Sequence, residues 1–344
     1  MATIVLADDG VRFDATSPET RPLGGAETAV VSLVRELAAR GHRVTVFNNC
    51  DRATTEAGVD WRPISSGLPE TADLYIANRG HRLLSLLPTA RRRAFWIHNP
   101  AGYLLKWRYL SPLARYRPTI IFIGRYHRGT YPAWAPGGTR VVIPYGVPDI
   151  ARTAEPRHKP PRPRAIFVSN PLRSLDWLLD VWAKRIRPGL SGAELHLYAG
   201  AQTYGAVGDA KAGPMQAVLD QAKRLEGFGV VLRKPVPKGH LVEALKESRV
   251  MLYRGDREET FCSAVAEAQA VGVPAVVQDR GSMAERVVDG ETGTVARDDR
   301  AFAAAARALL ADDGLWQRQH EAALRLQRRR GWADAAADFE RLLP

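Results

Sequence analysis

The chain has 344 residues, 45% of them hydrophobic and 25% charged, so it has the composition of a globular protein and is too long for one typical hydrophobic core. Its two cysteines, Cys50 and Cys262, exclude a disulfide framework and are typical of a reducing cytosol. The 49 basic and 37 acidic residues leave a net charge of +12, which favours nucleic acid, an anionic membrane face or a phosphorylated small molecule as partner, unless the excess is scattered surface charge.

Targeting segments are not evident. The start, "MATIVLADDGVRF", lacks a basic region followed by an apolar block, and no stretch approaches the roughly 20 apolar residues that span a bilayer. We therefore expect a cytoplasmic protein that is soluble, or at most bound at the inner membrane face.

Strand and helix patterns alternate through the first half. An apolar strand at 2–7 is followed by a helix at 26–41, whose apolar stripe ends at Gly41. Further strands are predicted at 43–48, 72–78, 94–99, 119–124 and 140–146. Continuous apolar strands separated by helices favour a parallel sheet covered on both faces.

The pattern breaks at "DIARTAEPRHKPPRPR" (149–164), which has the prolines and the irregularity of a linker, and then restarts. Strands are predicted at 165–170, 194–200, 230–236, 250–253, 274–279 and 293–297, and helices at 174–187, about 214–226, about 238–248, from 261 and near 282–288. We expect a first domain at 1–150, a linker at 151–164, a second domain at 165–315, and C-terminal helices at 316–344 whose last member packs back on the first domain. Both domains are expected to be doubly wound, so ligands should bind beyond the carboxyl ends of the strands.

A glycine pair, Gly24 and Gly25, stands in "PLGGAET" (22–28) between the first strand and the first helix. Glycines there let the backbone approach a ligand, and the free N–H groups of the helix favour an anion such as phosphate. A plain tight turn before a helix is the alternative interpretation.

Two other side chains follow predicted strands. His98 ends the strand in "FWIHNP" (95–100), and Arg173 lies at the turn between the strand at 165–170 and its helix. An arginine beside a helix start would add a forked cation to a phosphate site. A structural histidine and a surface arginine are the alternatives.

The segment "EETFCSAVAEAQAVGVP" (258–274) is the most informative one. Glu259 follows the apolar strand "RVMLY", whereas Glu267 lies eight residues later on a helix face of small and apolar residues. Burying an unpaired carboxylate costs several kcal/mol, which indicates that a partner or a ligand satisfies Glu267.

In these segments the sequence resembles the retaining nucleotide-sugar glycosyltransferases of GT-B fold, most closely glycosyltransferase family 4 (glycosyl transferases group 1). The resemblance covers nearly the whole chain. It rests on Trp332 and on the segments "GGAE", "IHN", "VVIPYGVPD", "EETFCSAVAEAQAVGVPAVV" and "GSMAERVVDGETGTV". It implies a GT-B α/β fold: two Rossmann-like, doubly wound parallel-sheet domains facing each other across a cleft.

The resemblance also implies roles for individual residues. Glu267 would accept hydrogen bonds from the ribose hydroxyls of the donor, with water in their place when the site is empty. Glu259 would face the donor sugar, Arg173 would stabilise the leaving diphosphate, and His98 would line the donor-sugar side of the acceptor domain. The implied donor-binding set also includes the backbone amides of Phe261, Cys262 and Ser263, together with Gly24, Gly25 and Asn170.

Several positions depart from the family pattern. Thr260 and Cys262 stand where the family usually has glycine, which indicates a donor-sugar pocket that is tighter or shaped for another sugar. In the family, an arginine and a lysine form a clamp on the diphosphate. Asn170 is the residue closest to the position of that arginine, so half of the clamp is missing unless Arg254 or Arg257 supplies the second cation. Asn99 replaces a common acid, and Tyr145 replaces a usual asparagine.

The sequence thus predicts a metal-independent glycosyltransferase that needs no cofactor and uses a nucleotide-sugar donor with a saccharide or lipid-linked acceptor. A sugar-nucleotide epimerase of the same fold and a non-catalytic sugar-nucleotide sensor are the nearest alternatives. A nucleic-acid-binding protein is disfavoured because the sequence has no recognisable nucleic-acid motif, and no nucleic-acid partner is expected.

Basic clusters at 91–93 and 106–117 suggest a further partner. They interleave with apolar and aromatic side chains, namely Trp96, Tyr103, Leu104, Leu105, Trp107 and Tyr109. Rings beside cations suit a membrane interface, so peripheral contact with an anionic membrane is predicted, with an ordinary basic surface as the alternative.

Overall fold

The computed structural model describes residues 1–21, 23–200 and 212–344. Its strands are β1 (Thr3–Asp8), β2 (Arg43–Asn48), β3 (Thr54–Glu56), β4 (Val59–Pro63), β5 (Leu74–Asn78), β6 (Arg92–Trp96), β7 (Thr119–Phe122), β8 (Arg140–Val142), β9 (Arg164–Val168), β10 (Glu194–Tyr198), β11 (Val230–Arg233), β12 (Val250–Leu252), β13 (Ala275–Gln278) and β14 (Gly293–Ala296). Its α-helices are α1 (Ser17–Thr20), α2 (Gly25–Ala39), α3 (Trp107–Tyr116), α4 (Arg125–Gly129), α5 (Asp149–Arg152), α6 (Leu175–Val181), α7 (Ala212–Arg224), α8 (Lys238–Lys246), α9 (Ser263–Ala270), α10 (Asp299–Ala311), α11 (Asp313–Gln327) and α12 (Trp332–Glu340).

The chain divides into two compact units. The first comprises Met1–Pro18, Gly25–Gly146 and Arg330–Pro344, and the second comprises Glu19–Gly24 and Val147–Arg329. Where the sequence analysis placed the first boundary after residue 150, the structure divides the chain after Gly146. The linker predicted at 151–164 begins inside helix α5, which starts directly after Pro148, where proline's fixed φ suits a helix start.

The first unit is built on a sheet with the strand order β3-β4-β2-β1-β5-β6-β7-β8. All pairs are parallel except β3–β4, and the order reverses at the neighbours β1 and β5. Asp8 and Asn78 are partners in that register, so the last residues of the two central strands lie side by side. Such a switch point is where doubly wound sheets bind ligands.

Helix α12 belongs to the first unit because it packs on α2. Its apolar side is buried, and its last residue, Glu340, accepts hydrogen bonds of 2.8 and 2.7 Å from the guanidinium of Arg40 and contacts His42 at 2.8 Å. These contacts hold the C-terminal helix to the first strand–helix–strand repeat. The other C-terminal helices, α10 and α11, belong to the second unit.

The second unit has the strand order β11-β10-β9-β12-β13-β14, and every paired strand is parallel. This is the doubly wound order 3-2-1-4-5-6. The order reverses at β9 and β12, so the loops that follow these two strands lie at the switch point. Both units therefore have the Rossmann-like architecture expected from the alternation of strands and helices.

Three strands end three or four residues earlier than the apolar runs predicted. The strands predicted at 94–99, 140–146 and 230–236 end at Trp96, Val142 and Arg233. Proline follows each end within two to four residues, at positions 100, 144 and 235, and it cannot donate a ladder hydrogen bond. His98 therefore lies in the loop beyond β6 rather than in the strand.

Among the elements that the sequence analysis did not predict are a hairpin and a helix of the first unit. The hairpin β3–β4 turns at Ala57 and Gly58, whose φ values of +51° and +75° are those of a type I′ turn, but alanine gives no sequence signal for it. The basic segment at 107–116 is an amphipathic helix, α3. The helix predicted at 174–187 is α6 followed by a π-helical turn, Trp182–Ile186, and the helix near 282–288 is one 3-10 turn, Met283–Glu285.

Candidate functional site

Most of the predicted donor-binding residues gather at the switch point of the second unit. Asn170 and Arg173 follow β9, and Glu259 follows β12, the strand beside it. Helix α9 begins at Ser263 and carries Glu267. The site is therefore assembled from residues almost 100 positions apart by two neighbouring strands.

Asn170 shapes the turn that presents Arg173. Its Oδ1 accepts a 2.9 Å hydrogen bond from the backbone N–H of Leu172, and its carbonyl accepts one of 2.9 Å from the N–H of Arg173. Side-chain capping of this kind is typical of asparagine in turns. Asn170 therefore stabilises this turn, and its predicted role in binding the donor stays a prediction.

Arg173 is held by acidic groups. Its Nη1 lies 2.9 Å from Oδ1 of Asp256 and 3.9 Å from Oε2 of Glu259. Burial lowers the pKa of this guanidinium, but the negative charges of Glu259 and Asp256 outweigh burial and raise it overall. The arginine is thus a permanent cation beside Glu259.

Glu259 is fixed by a partner that the sequence analysis missed. The hydroxyl of Tyr253 donates a 2.6 Å hydrogen bond to Oε2 of Glu259, and burial together with this carboxylate raises the pKa of the tyrosine well above its ordinary value. Gly281 approaches from the other side, where a Cβ would lie only 2.5 Å from the carbonyl oxygen of Glu259. The backbone and the carboxylate are therefore both positioned by the protein.

The residue directly before the N-terminus of α9 has a strained backbone conformation. Cys262 has φ +61° and ψ +75°, the left-handed conformation that a glycine adopts without cost. The thiol is buried, and burial raises its pKa well above the ordinary value, so it is a neutral group. Phe261 is also buried, under the guanidinium of Arg286 at 4.2 Å from the ring centre. The left-handed backbone explains physically why the resembling family has glycine at this position.

Glu267 has a partner within the protein. Its side chain is 6% exposed, and both of its carboxylate oxygens lie 2.6 Å from Nζ of Lys238, the first residue of α8. The expectation that water satisfies this carboxylate in the empty site is wrong, because a lysine 29 residues earlier in the chain does so.

One of the two clamp alternatives, Arg254, contacts groups outside the clamp. Nε of Arg254 donates a 3.0 Å hydrogen bond to Gln278, and the guanidinium stacks on Trp177 at 4.5 Å. Arg254 therefore braces β13 and α6 rather than completing the clamp with Arg173. Arg257 also has interactions of its own.

In the first unit, a buried chain of hydrogen bonds starts at the switch point. Nδ2 of Asn78 donates to Asp8, and Oδ1 of Asn78 contacts Nε2 of His98 at 2.6 Å. Nδ1 of His98 in turn contacts the hydroxyl of Tyr145. Because Oδ1 of Asn78 can only accept, His98 carries its proton on Nε2, and the tyrosine hydroxyl donates to Nδ1.

The hydrogen bonds and the burial of His98 determine its protonation state and the groups that it can contact. Burial lowers its pKa well below 6.5, with Arg79 adding to the effect, so the ring is neutral. Both ring nitrogens contact protein groups in this structure. The prediction that His98 is catalytic stays a prediction, and the geometry favours a role in orienting Tyr145, whose ring also lies 5.6 Å from that of Trp332.

Arg79 is the second residue that the sequence analysis missed. Its Nη2 lies 3.0 Å from Asp8 and 2.8 Å from Glu27 in the first turn of α2, just after Gly24 and Gly25. Burial raises the pKa of Asp8, although Arg79 opposes that rise. Nothing in the local sequence around Asp8 indicates this partner, so only the tertiary structure reveals the ionic cluster.

Comparisons with known proteins show which family and which fold this chain resembles. The sequence model of the family described as glycosyl transferases group 1 matches residues 162–312, which lie in the second unit and include Asn170, Arg173, Glu259 and Glu267. Sucrose-phosphate synthase from Thermosynechococcus elongatus superposes over 99% of this chain and 98% of its own, with a TM-score of 0.74 at 15% identity. HepE from Anabaena, solved in complex with UDP and glucose, superposes over 99% of both chains with a TM-score of 0.71 at 14% identity.

This chain has the GT-B fold. Among curated sequences, it is similar to the D-inositol 3-phosphate glycosyltransferase of Xylanimonas cellulosilytica, with 34% identity over 110 residues. That alignment spans 31% of this chain and 26% of the relative, about a quarter of the relative's length. The structural likeness extends over both GT-B units, whereas the family match is confined to the second.

Two further observations concern the described residues of this GT-B chain. No helix within residues 1–21, 23–200 and 212–344 is long and apolar enough to cross a membrane. Over the same ranges, no three His, Cys, Asp or Glu side chains cluster as a metal site would require.

Proposed function

We propose that this protein is a retaining glycosyltransferase that moves a sugar from a nucleoside-diphosphate sugar to a hydroxyl group of a saccharide or lipid-linked acceptor. The observation that carries the proposal is the placement of Glu259 and Glu267 in the part of the chain that matches glycosyl transferases group 1. One follows a central strand at the switch point, and the other lies buried in the helix that begins four residues later.

The second unit would bind the donor. The carboxylate of Glu267 would accept hydrogen bonds from the ribose hydroxyls, and the backbone N–H groups of Phe261, Cys262 and Ser263 would face the donor sugar beside Glu259. Uridine diphosphate is the first nucleotide to test, because HepE was solved with UDP and with UDP-glucose. The curated relative's name makes a polyol phosphate a sensible member of the acceptor panel.

The chemistry would rest on electrostatics. The bond between the anomeric carbon and the diphosphate breaks, a bond to the acceptor oxygen forms on the same face, and the acceptor proton leaves with the diphosphate. Charge develops on the leaving diphosphate, and a cation aimed at it lowers the barrier. Arg173 lies 3.9 Å from Glu259, and sharing it between Asp256 and the diphosphate would supply that charge without a metal ion.

The first unit would bind the acceptor. His98 would support Tyr145 from inside the unit. Gly24, directly before α2, and Gly25, its first residue, would instead supply backbone groups to the donor. Helix α3 adds a surface for an anionic membrane, where Lys106 and Arg108 flank Trp107, whose side chain is 78% exposed. The remaining rings of the predicted aromatic set are wholly or partly buried, namely Trp96, Tyr103 and Tyr109, so the membrane surface is smaller than the sequence indicated. A cytoplasmic enzyme that is peripheral at the inner membrane face is part of this proposal.

The test begins with binding. A ligand that binds the folded state raises the melting temperature, so UDP, GDP, ADP and their sugars are screened by thermal shift, and the best donor is then titrated calorimetrically. Glu267→Gln should weaken the binding of that nucleotide about tenfold or more, because a neutral amide replaces a charged acceptor. Glu243→Gln is the matched control, since this exposed glutamate on α8 forms an ion pair with Lys246 on the same helix.

Turnover separates the rival functions. The donor is incubated with an acceptor panel, and the products are analysed by NMR for the anomeric configuration of the new bond. Isomerised donor without transfer would indicate an epimerase, and binding without any turnover would indicate a sensor. Equal binding by the wild type and Glu267→Gln would contradict the ribose role, and a product of inverted configuration would contradict the retaining mechanism.

A further inference from the structure

Lys238 stands where a ligand of Glu267 would have to be. Its Nζ is equidistant from the two carboxylate oxygens, at 2.6 Å from each, so the ammonium lies between them. Lys238 opens α8 after the edge strand β11, whereas Glu267 is on α9 after the central strand β12. The pair thus joins two separate loops of the second unit.

The two partners differ in their freedom to move. Glu267 is in the middle of a helix, its side chain is 6% exposed, and the residues around it on α9 are buried. Lys238 is at a helix start, and its side chain is 29% exposed. A lysine carries its charge on a flexible four-carbon stem and is well hydrated, so it can withdraw into water, whereas the glutamate cannot leave the helix.

Glu267 cannot pair with Lys238 and with a ribose at the same time. A ribose that donates both of its vicinal hydroxyls to the two oxygens of one carboxylate needs the position that the ammonium fills. Leaving the carboxylate without any partner is unfavourable in the buried site, so the occupants replace one another rather than leave a gap.

We propose that Lys238 determines donor recognition by occupying the ribose position of the empty protein, and that the vicinal diol of the donor nucleotide displaces it. This inference rests on the proposed function, since it assumes that Glu267 binds the ribose. The nucleotide therefore binds only the fraction of molecules from which the ammonium has withdrawn, and its apparent affinity is lower by that fraction. Lys238 weakens donor binding while it stabilises the empty site.

The experiment compares wild type with Lys238→Met, which keeps the apolar stem and removes the charge. Lys246→Met is the matched control, because this lysine lies on the same helix and pairs with the exposed Glu243. UDP is titrated calorimetrically into each protein, and melting temperatures are measured with and without saturating UDP. If Lys238→Met fails to fold, Lys238→Gln replaces it, since glutamine keeps a hydrogen-bond donor without the charge.

Lys238→Met should lower the Kd for UDP about threefold or more and lower the melting temperature of the empty protein, with a larger gain in melting temperature on saturation. Lys246→Met should match the wild type in both measurements. An unchanged or higher Kd in Lys238→Met, with a wild type that binds UDP, would overturn this inference and leave the proposed function intact. A wild type that binds no nucleoside diphosphate in the screen would overturn both.

Discussion

The hydroxyl of Tyr253 donates a 2.6 Å hydrogen bond to Oε2 of Glu259, while Nη1 of Arg173 lies 3.9 Å from the same oxygen. A fully buried tyrosine directly after strand β12 thus orients the glutamate that follows it by six residues. The carboxylate of Glu259 thus has a neutral donor, Tyr253, from the segment after β12 and a cation, Arg173, from the segment after β9.

Tyr253→Phe should therefore reduce turnover with the identified donor and acceptor. A hydrogen bond to a charged group contributes about 1.5–3 kcal/mol, so a loss of about tenfold or more in kcat is expected, with a smaller change in KM. Tyr75→Phe is the control, because Tyr75 is an equally buried tyrosine whose hydroxyl donates to the carbonyl of Leu83 in the first unit. If both variants lose turnover equally, the effect is one of stability and the positioning role of Tyr253 is refuted.

Arg173→Ala should lower kcat more than it weakens donor binding, since charge develops on the leaving diphosphate during the reaction. Arg157→Ala is a suitable comparison, because Arg157 forms an ion pair with Glu247 on the surface of the same unit. Steady-state kinetics and calorimetric titration measure the two effects separately. Turnover within twofold of the wild type would show that Arg173 serves only to pair with Asp256.

Acid should destabilise the protein between pH 6.5 and about pH 4. Burial lowers the pKa of His127 to about 4 and that of His98 well below 6.5, so in this window the unfolded chain binds protons that the folded chain does not. Stability therefore falls with falling pH, by at most about 1.4 kcal/mol per pH unit for each histidine. Urea unfolding at several pH values measures the slope.

His127→Gln should make that slope shallower by about one proton, whereas His158→Gln, at an exposed position, should leave it unchanged. A second loss of folding stability is expected at lower pH. The bonds from Arg40 lower the pKa of Glu340 to about 2, so the stabilisation it gives is complete above pH 4.5 and is lost as pH falls towards 2. Stability that stays constant from pH 7 to 4.5 would contradict the assignment of buried neutral histidines.

The protein should bind anionic vesicles through helix α3. Cations near a surface of anionic lipid contribute about 1 kcal/mol each, and an exposed ring adds interfacial binding. Trp107→Ala should reduce co-sedimentation at low salt about fivefold, and high salt should abolish binding of the wild type. Trp134→Ala is the matched control, since Trp134 is 74% exposed but stands between alanines. Equal and negligible binding to anionic and neutral vesicles would exclude the membrane contact and leave the donor site unaffected.

Much of the fold follows from local sequence alone. Continuous apolar strands such as β1, β5 and β13 are buried along almost their whole length, as their composition predicts for strands of a covered parallel sheet. Glu267 is visible in the sequence for the same reason, because a single acid in the apolar helix α9 contradicts its surroundings. Strand ends and the β3–β4 hairpin were harder to predict from the sequence. Pro144 and Ala57 act there through hydrogen bonding and backbone conformation rather than through hydrophobicity.

The partners of the site residues were decided by the tertiary structure. Lys238 and Glu267 are 29 residues apart, and Arg79 reaches Asp8 over 71 residues. Nothing in the local pattern distinguishes these cations from the other basic residues of a chain with 49 of them. Strand order brings them together, because β5 lies beside β1 and the loop after β11 lies near α9. Sequence therefore determined that Glu267 needs a partner, and the packing of the sheets determined which side chain meets that need.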